Sequence, residues 1–295
     1  MGRVLITGAG GQLGSDLQRV LSGRADVVAL PRTELDISDE GTVQEVLARE
    51  SPATVYNCAA FHNLAECENE EARSFEVNAQ AVKRMAELCS AGGAKLVHLS
   101  TNYVFDGAAS EPYTEDDRPN PQSIYAISKL AGEYCALSYQ PDSLVVRTGG
   151  LYGLHGSASK GGNFVTRMID RARDQGALKM VADQRLSPTF TQDLAWAIVE
   201  GVEAGTTGIV HLTNGGDCSW HEFTVEIMRL AGLDVPVEPV QTVVGADGVR
   251  RPLNGVLARP AADAAGLPQL RHWSEALSDY MRQAGLIDAA ASVQL

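Results

Sequence analysis

Residues Arg3-Val-Leu-Ile-Thr-Gly8-Ala-Gly-Gly-Gln-Leu-Gly14 decide the fold. Arg3 to Thr7 is a short apolar run with no charge inside it, as a buried strand requires. Gly8, Gly11 and Gly14 follow at intervals of three, with a further glycine at Gly10, and Asp16 to Leu21 then begin a helical pattern. The first glycine permits a tight turn, the second lets backbone approach a pyrophosphate, and the third lets helix and strand pack closely. The helix N-terminus adds amide donors and positive potential. Lying between a strand and a helix, the motif predicts a dinucleotide-binding βα unit, with Gly8, Gly11, Gln12, Leu13 and Gly14 around the pyrophosphate.

A second strand, Asp26 to Leu30, should end beside the adenosine ribose. Many NAD sites place an acid there, but this chain has Pro31 and Arg32. Arg32 either pairs with a 2′-phosphate or is a solvated loop arginine. On the first reading NADP(H) is the preferred cofactor and NAD(H) a possible one. Leu35-Asp36-Ile37 then offers a carboxylate and an apolar side chain to the adenosine. A third strand, Thr54 to Asn57, ends in Cys58, Ala59 and Ala60, small enough for a cofactor to pass. A helical stretch from about Glu66 to Cys89 includes Asn78. The fourth strand, Lys95 to Ser100, runs into Thr101-Asn-Tyr-Val-Phe-Asp-Gly107. Ligands bind at the carboxyl ends of parallel strands, where Ser100 and Thr101 fall. A Thr101 hydroxyl can orient a substrate carbonyl, or simply cap a turn. His98, in mid-strand, reads as a structural histidine.

Tyr125 and Lys129 stand four residues apart in Ser-Ile-Tyr-Ala-Ile-Ser-Lys-Leu-Ala-Gly-Glu133. On a helix both project from one face. A phenol is mostly protonated at neutral pH, and a neighbouring ammonium favours its phenolate. Tyr125 is therefore a candidate proton donor to a developing alkoxide. The alternative is ordinary polarity on a helix surface.

With these blocks in hand, the chain resembles the extended short-chain dehydrogenase/reductases, and within them the dTDP-4-dehydrorhamnose reductase family. The likeness runs through Gly8–Gly14, Leu35-Asp-Ile37, Asn57–Ala60, Ser100–Gly107, Tyr125–Glu133, Arg147-Thr148, Gly162-Asn-Phe164, Asp183-Gln184, Ser187-Pro-Thr189, Asp193-Leu194, Val210–Asn214, Cys218-Ser-Trp220, Arg251-Pro252 and Trp273–Leu277. It implies an α/β fold, a Rossmann-type doubly wound parallel sheet with a smaller C-terminal substrate-binding lobe. It implies hydride delivery to C4 of a nucleotide-linked, dTDP-type 4-keto-6-deoxy sugar. Thr101, Tyr125 and Lys129 would be catalytic, with Lys129 lowering the Tyr125 pKa. Asn78 and Ser100 would serve the cofactor, and Tyr103, Phe105, Asn163, Gln184 and Arg251 the sugar nucleotide.

Departures from the family pattern mark the substrate side. Asn102 replaces an aspartate, and Gly149-Gly150 replaces Ser-Trp, which implies a pocket that is wider or differently walled at Gly150. His62 and Asn63 bring other polar groups to the substrate loop, where His62 either bonds a hydroxyl or is only a loop residue. dTDP-4-dehydrorhamnose itself is accordingly expected to be a secondary substrate. A metal-linked dimer contact in the family needs carboxylates. Asp16 remains but Gln192 occupies a second position, so no metal is expected, while a homodimer stays possible.

The 295 residues, 44% hydrophobic, suffice for a substantial core. No apolar run approaches the roughly 18 residues of a membrane span, and the start enters the first strand without a cleavage-site pattern. Cys58, Cys67, Cys89, Cys135 and Cys218 are scattered without metal spacing, which suits a reducing cytoplasm. A net charge of −13 argues against nucleic acid. A diphosphate then needs local positive charge, with Arg167, Arg185, Arg250 and Arg251 as candidates.

Residues 1–149 plus about 176–214 are expected to form the dinucleotide domain, and about 150–175 and 215–295 the substrate lobe. Residues 153–162 could cover the site, and 288–295 read as a frayed tail. Two other functions remain open. One is an epimerase or dehydratase of the same superfamily, although a dehydratase would want acids beside Thr101. The other is a non-catalytic NADP-binding regulatory subunit, against which the Thr101, Tyr125 and Lys129 set speaks.

Overall fold

The computed structural model describes residues 2–156, 162–243 and 248–287. The expected cover segment therefore lies partly, and the expected tail wholly, outside the described residues. The first half of the chain alternates β1 (Arg3–Thr7), α1 (Gln12–Leu21), β2 (Asp26–Leu30), α2 (Glu40–Glu50), β3 (Thr54–Asn57), α3 (Leu64–Asn69), α4 (Glu71–Phe75), a π-helical turn (Glu76–Gln80) and α5 (Ala81–Gly92). Then come β4 (Lys95–Thr101), a 3₁₀ turn (Asn102–Val104), α6 (Ile124–Tyr139), β5 (Leu144–Thr148) and β6 (Leu151–Tyr152). The rest comprises α7 (Phe164–Gln175), β7 (Leu178–Val181), β8 (Arg185–Leu186), β9 (Thr189–Phe190), α8 (Thr191–Glu203), β10 (Gly208–His211), β11 (Cys218–Ser219), α9 (Trp220–Leu230), β12 (Val237–Val240), α10 (Pro260–Ala264) and α11 (Trp273–Gln283).

Six parallel strands form the main sheet in the order β10-β5-β4-β3-β1-β2. Their side chains alternate between two apolar layers, which is why the strands read as unbroken hydrophobic runs. Val4, Ile6, Val97 and Val146 face α1 and α8, packing with Leu13, Leu17 and Leu194. Leu5, Val55, Leu96 and Val145 face the opposite way, toward Val43 of α2, Val82 of α5 and Ala136 of α6. This is the doubly wound α/β arrangement. The order reverses between β1 and β3, and that boundary is where such sheets open a ligand crevice.

A separate apolar cluster joins Val165 and Ile169 of α7, Phe223 and Ile227 of α9, and Leu277 and Tyr280 of α11, around Tyr152 and Phe190. Within 176–214, α8 and β10 pack on the main sheet, whereas β7 pairs with β12 and Leu178 joins this second cluster. Conversely Ala262, Leu267 and Leu270, from the stretch expected in the lobe, pack beneath the main sheet. No helix among the described residues is long and apolar enough to cross a membrane. All five cysteines are free thiols.

Candidate active site

The glycine turn sits at the carboxyl end of β1, beside the β1/β3 boundary. Gly8 has φ +64°, and a Cβ there would fall 2.7 Å from the Ala59 nitrogen. A Cβ on Gly14 would fall 2.6 Å from the Gly8 oxygen. The turn therefore passes under the end of β3, and α1 packs directly onto the turn. Cys58, Ala59 and Ala60, half-buried, form the other lip. Gly11 is the N-cap of α1 and gives its first-turn amides no side-chain acceptor, while Leu13 is buried in the core and can offer only its backbone. Gln12 Oε1 is buried without a partner. Unmet amide donors behind a lip free of bulky side chains fit a dinucleotide pyrophosphate.

Arg32, just past β2, is exposed and pairs with Asp36 at 3.2 Å. Burial works against the Asp36 carboxylate, yet the Ser38 hydroxyl and amide together with Arg32 hold its pKa below the ordinary value. Ile37, expected against the adenine, is instead buried in the core with Leu5 and Leu35. Asn78 is likewise engaged within the protein. Its Oδ1 accepts from the Phe61 amide at 2.9 Å, and its Nδ2 donates to the Phe61 carbonyl at 2.8 Å and the Ser128 hydroxyl at 3.1 Å. That clamps the loop after β3 and leaves the amide engaged. Ser100 also turns inward, donating to Glu133, which holds the buried Arg147 through bonds of 2.9 and 2.7 Å.

Thr101, Tyr125 and Lys129 are brought together. Thr101 ends β4, and its hydroxyl accepts from the Tyr103 amide at 3.1 Å, so it caps the 3₁₀ turn. It also lies within hydrogen-bonding reach of the Tyr125 phenol. Tyr125 and Lys129 occupy the first turns of α6, capped by Ser123, which accepts from the Ala126 amide. The helix lies close because residue 132 is glycine: a Cβ there would sit 2.2 Å from the Asn78 carbonyl oxygen and 3.1 Å from His98 Nε2. Lys129 is buried, donates to the Leu99 carbonyl and lies 3.3 Å from His98 Nε2. Burial lowers its pKa to about 8, while Glu133 and Cys58 push it up. Burial raises the Tyr125 phenol above its ordinary value, the Thr101 hydrogen bond opposing this. The lowering expected from Lys129 is thus absent: removal from water dominates, and the ammonium points to Leu99 and His98.

A cleft of about 640 Å³ opens beside Tyr103, whose ring meets that of Tyr125 edge-on at 6.2 Å. Phe164 and Trp220, with ring centroids 4.4 Å apart, belong to its lining, as do Gln184, Arg250 and Arg251. Arg167 is exposed on α7 and is not in the cleft lining, and Arg185, held by Asp217 and Glu222, lines only the smaller cavity beside it.

Several expected substrate contacts have structural work instead. Phe105 is buried, stacked on Tyr113 at 4.3 Å with Arg147 over its ring. Asn163 caps α7 and donates to the Gly153 carbonyl and the Tyr280 hydroxyl. Asn63 caps α3 and donates to Glu66 at 2.8 Å. His62 is half-buried near the Ala60 carbonyl, away from the cleft lining. Asn102 is buried and donates to the Gly255 carbonyl. Gly150 lines a side cavity of about 50 Å³ that shares Tyr103, Gln184 and Trp220 with the cleft. Its φ is +61°, and a Cβ would meet Leu186 at 2.7 Å and the Pro188 backbone at 3.1 Å, so the neighbours leave no room for a side chain at Gly150 itself. Asp16 accepts from the Thr191 hydroxyl at 2.5 Å, and Gln192 Oε1 is buried without a partner. Among the described residues no cluster of three or more His, Cys, Asp or Glu is placed to hold a metal.

Phe164 and Trp220 line the cleft although neither was expected among the substrate contacts. Their shared signal was legible: each is the first residue of a helix, directly after a capping Asn163 or Ser219.

Residues 2–285 match the family model described as the RmlD substrate binding domain. A dTDP-4-dehydrorhamnose reductase of Streptomyces griseus is 41% identical over 94% of this chain and 92% of its own length. A dTDP-4-keto-6-deoxy-D-glucose reductase of Streptomyces niveus is 39% identical over 94% and 95%. The crystal structure of the Bacillus anthracis dTDP-4-dehydrorhamnose reductase in complex with NADP superimposes with a TM-score of 0.90 at 34% identity, covering 95% of this chain and 99% of that one. The chain belongs to the dTDP-4-dehydrorhamnose reductase family of extended short-chain dehydrogenase/reductases.

Proposed function

We propose that this protein reduces the C4 carbonyl of a dTDP-linked 4-keto-6-deoxy sugar, with NADPH as the preferred reductant and NADH as a possible one. The observation that carries the reading is Tyr125: bonded to Thr101, one helical turn from buried Lys129, and in edge contact with the cleft residue Tyr103. The names of the relatives, and the NADP held by one of them, support it.

Gly8, Gly11, Gln12, Leu13 and Gly14 would receive the pyrophosphate, Cys58 to Ala60 would line its path, and Arg32 would pair with the 2′-phosphate. When bound, the cofactor supplies the hydride. Tyr125, kept protonated by burial, gives its proton to the sugar oxygen as charge develops there. Thr101 orients that oxygen. Lys129 places a positive charge behind the phenolate that remains and holds the nicotinamide ribose. Arg250 and Arg251 face the diphosphate, and Phe164 with Trp220 offers an aromatic wall to the base or sugar.

We assign residues up to about 149, with α8 and β10, to the cofactor domain and most of the remainder to the sugar lobe. The free cysteines favour a cytoplasmic enzyme.

The test is NADPH oxidation, followed at steady state, across a panel of dTDP-linked 4-keto sugars. Turnover of at least one is expected. Tight NADPH binding with no turnover of any member would overturn the assignment in favour of a regulatory role.

A further inference from the structure

Thr7, Asn57 and His98 form a polar rung across the middle of the apolar sheet. They are register partners, Thr7 on β1 opposite Asn57 on β3, and Asn57 opposite His98 on β4. By alternation they share the face of Leu5, Val55 and Leu96, which is the face covered by α6. All three are buried to 1% exposure or less. The Asn57 amide oxygen lies 2.8 Å from the Thr7 hydroxyl, its nitrogen lies 3.3 Å from His98 Nδ1, and His98 Nε2 lies 3.3 Å from Lys129 Nζ. Three polar side chains buried in line and ending on one ammonium exceed what strand packing requires, since apolar residues would fill the same rung without desolvation.

We propose that His98 is a positioning residue for Lys129: its bare Nε2 accepts from the ammonium, and Asn57 and Thr7 fix the imidazole tautomer that makes this possible. The inference rests on the reading of Lys129 as part of the reductase site.

The tautomer follows from donor and acceptor counting. An ammonium only donates, so Nε2 must be bare and Nδ1 must carry the proton. Nδ1–H then donates to the Asn57 amide oxygen, which a half-turn of the amide brings to face it. The amide nitrogen donates in turn to the Thr7 oxygen. With the amide the other way round, Nε2–H would oppose the ammonium, leaving two buried donors without an acceptor. Burial and the charge of Lys129 both hold His98 neutral, as the arrangement needs. The other titratable groups acting on Lys129 are Glu133 of α6 and Cys58 after β3, and both push its pKa up.

The experiment measures the charge and the tautomer directly in the whole enzyme. Ring-¹⁵N-labelled histidine should show His98 protonated at Nδ1 and bare at Nε2 at pH 7. In protein with ¹³Cε-labelled lysine, the Lys129 resonance, identified by its loss in Lys129→Met, should titrate about one pH unit lower in His98→Leu. That is the order expected for a lost hydrogen bond to a charged group. His98→Gln, whose amide oxygen can reach the same point, should restore most of the shift. The alkaline limb of kcat should move with the resonance. An Nε2–H tautomer at pH 7, or an unchanged Lys129 titration in His98→Leu, overturns the proposal. Should His98→Leu fail to fold, the wild-type tautomer and the His98→Gln titration decide it. If the titrations behave as stated but no keto sugar is reduced, the functional reading fails while the His98–Lys129 coupling stands.

Discussion

The Asn102 side-chain amide donates to the Gly255 carbonyl at 2.9 Å, tying the loop that follows Thr101 to a residue 153 positions away. The fit leaves no slack: a Cβ on Gly149 would come within 2.6 Å of the amide oxygen, and one on Gly255 within 2.3 Å of its nitrogen. One amide and two missing side chains therefore act as a unit. An aspartate at this position could not donate while ionised. Asn102→Asp should lower stability by about 1–3 kcal/mol at neutral pH, the cost of a buried polar group left unmet. Burial raises the folded-state pKa of such an acid above its unfolded value, so the loss should be full above the folded pKa, shrink as pH falls through it and be gone below the unfolded pKa. Urea melts at pH 7 and at about pH 4 measure both parts. Identical melts for the two proteins at both pH values would show that the tether contributes nothing.

Burial lifts the Tyr125 phenol and pushes Lys129 down to about 8, so the lysine is the first of the pair to lose its proton as pH rises. Activity should accordingly fall about tenfold per unit above that value as the ammonium disappears. Tyr125→Phe should reduce kcat by about 10²–10⁴ while leaving NADPH affinity nearly unchanged. The stability sign is opposite to the activity sign. Between pH of about 8 and 10.5 the unfolded chain binds more protons at this lysine than the folded one, so its contribution to stability rises with pH there. A kcat profile flat through pH 10 would remove the charge of Lys129 from the reaction.

Arg32 is exposed and already paired with Asp36, which tempers what it can give a 2′-phosphate. Arg32→Ala should weaken NADPH toward the lower end of about 1.5–3 kcal/mol and leave NADH almost untouched. Asp36→Asn should favour NADPH, by removing a carboxylate that competes for the guanidinium. Titrating both cofactors by fluorescence separates the effects. Equal losses for NADPH and NADH in Arg32→Ala would mean that Arg32 does not read the phosphate.

Glu133 and Arg147 are both at most 2% exposed and are joined by two hydrogen bonds. Glu133→Gln should cost about 3–5 kcal/mol in chemical denaturation, because it strands the guanidinium in the interior. Replacing both residues by apolar ones of similar volume should be far milder than the single change. If the double variant were no better than Glu133→Gln, uncompensated charge would not be the cause.

The parts of the site legible in the sequence were those whose chemistry is local. The Gly8–Gly14 turn and the Tyr125–Lys129 pair each need only a few consecutive residues and one helical or turn geometry. The structural work of Asn63, Asn163 and Asn78 was not legible, because an asparagine that caps a helix or clamps a loop looks the same in sequence as one that meets a ligand. Gly150 carries another ambiguity. A missing side chain can mean an open space or a space crowded from elsewhere, and Leu186 and Pro188, which crowd it, are remote in the chain. The cleft draws Tyr103, Phe164, Trp220 and Arg251 from four separate segments, a meeting that only the folded chain displays.

The contact at Gly132 bears on how such an enzyme can diversify. With the Asn78 carbonyl only 2.2 Å from where a Cβ would begin, α6 rests on bare backbone and cannot slide or rotate without collision. The hydroxyl of Tyr125 is thereby held at a fixed height over the sheet, whatever happens elsewhere. The opposite wall is carried by side chains on the first residues of α7 and α9 and on the loop around Arg250 and Arg251. Evolutionary drift is thus channelled to one side. Lineages descending from this scaffold can exchange one sugar for another by remodelling that wall, while the step that moves the proton is inherited intact.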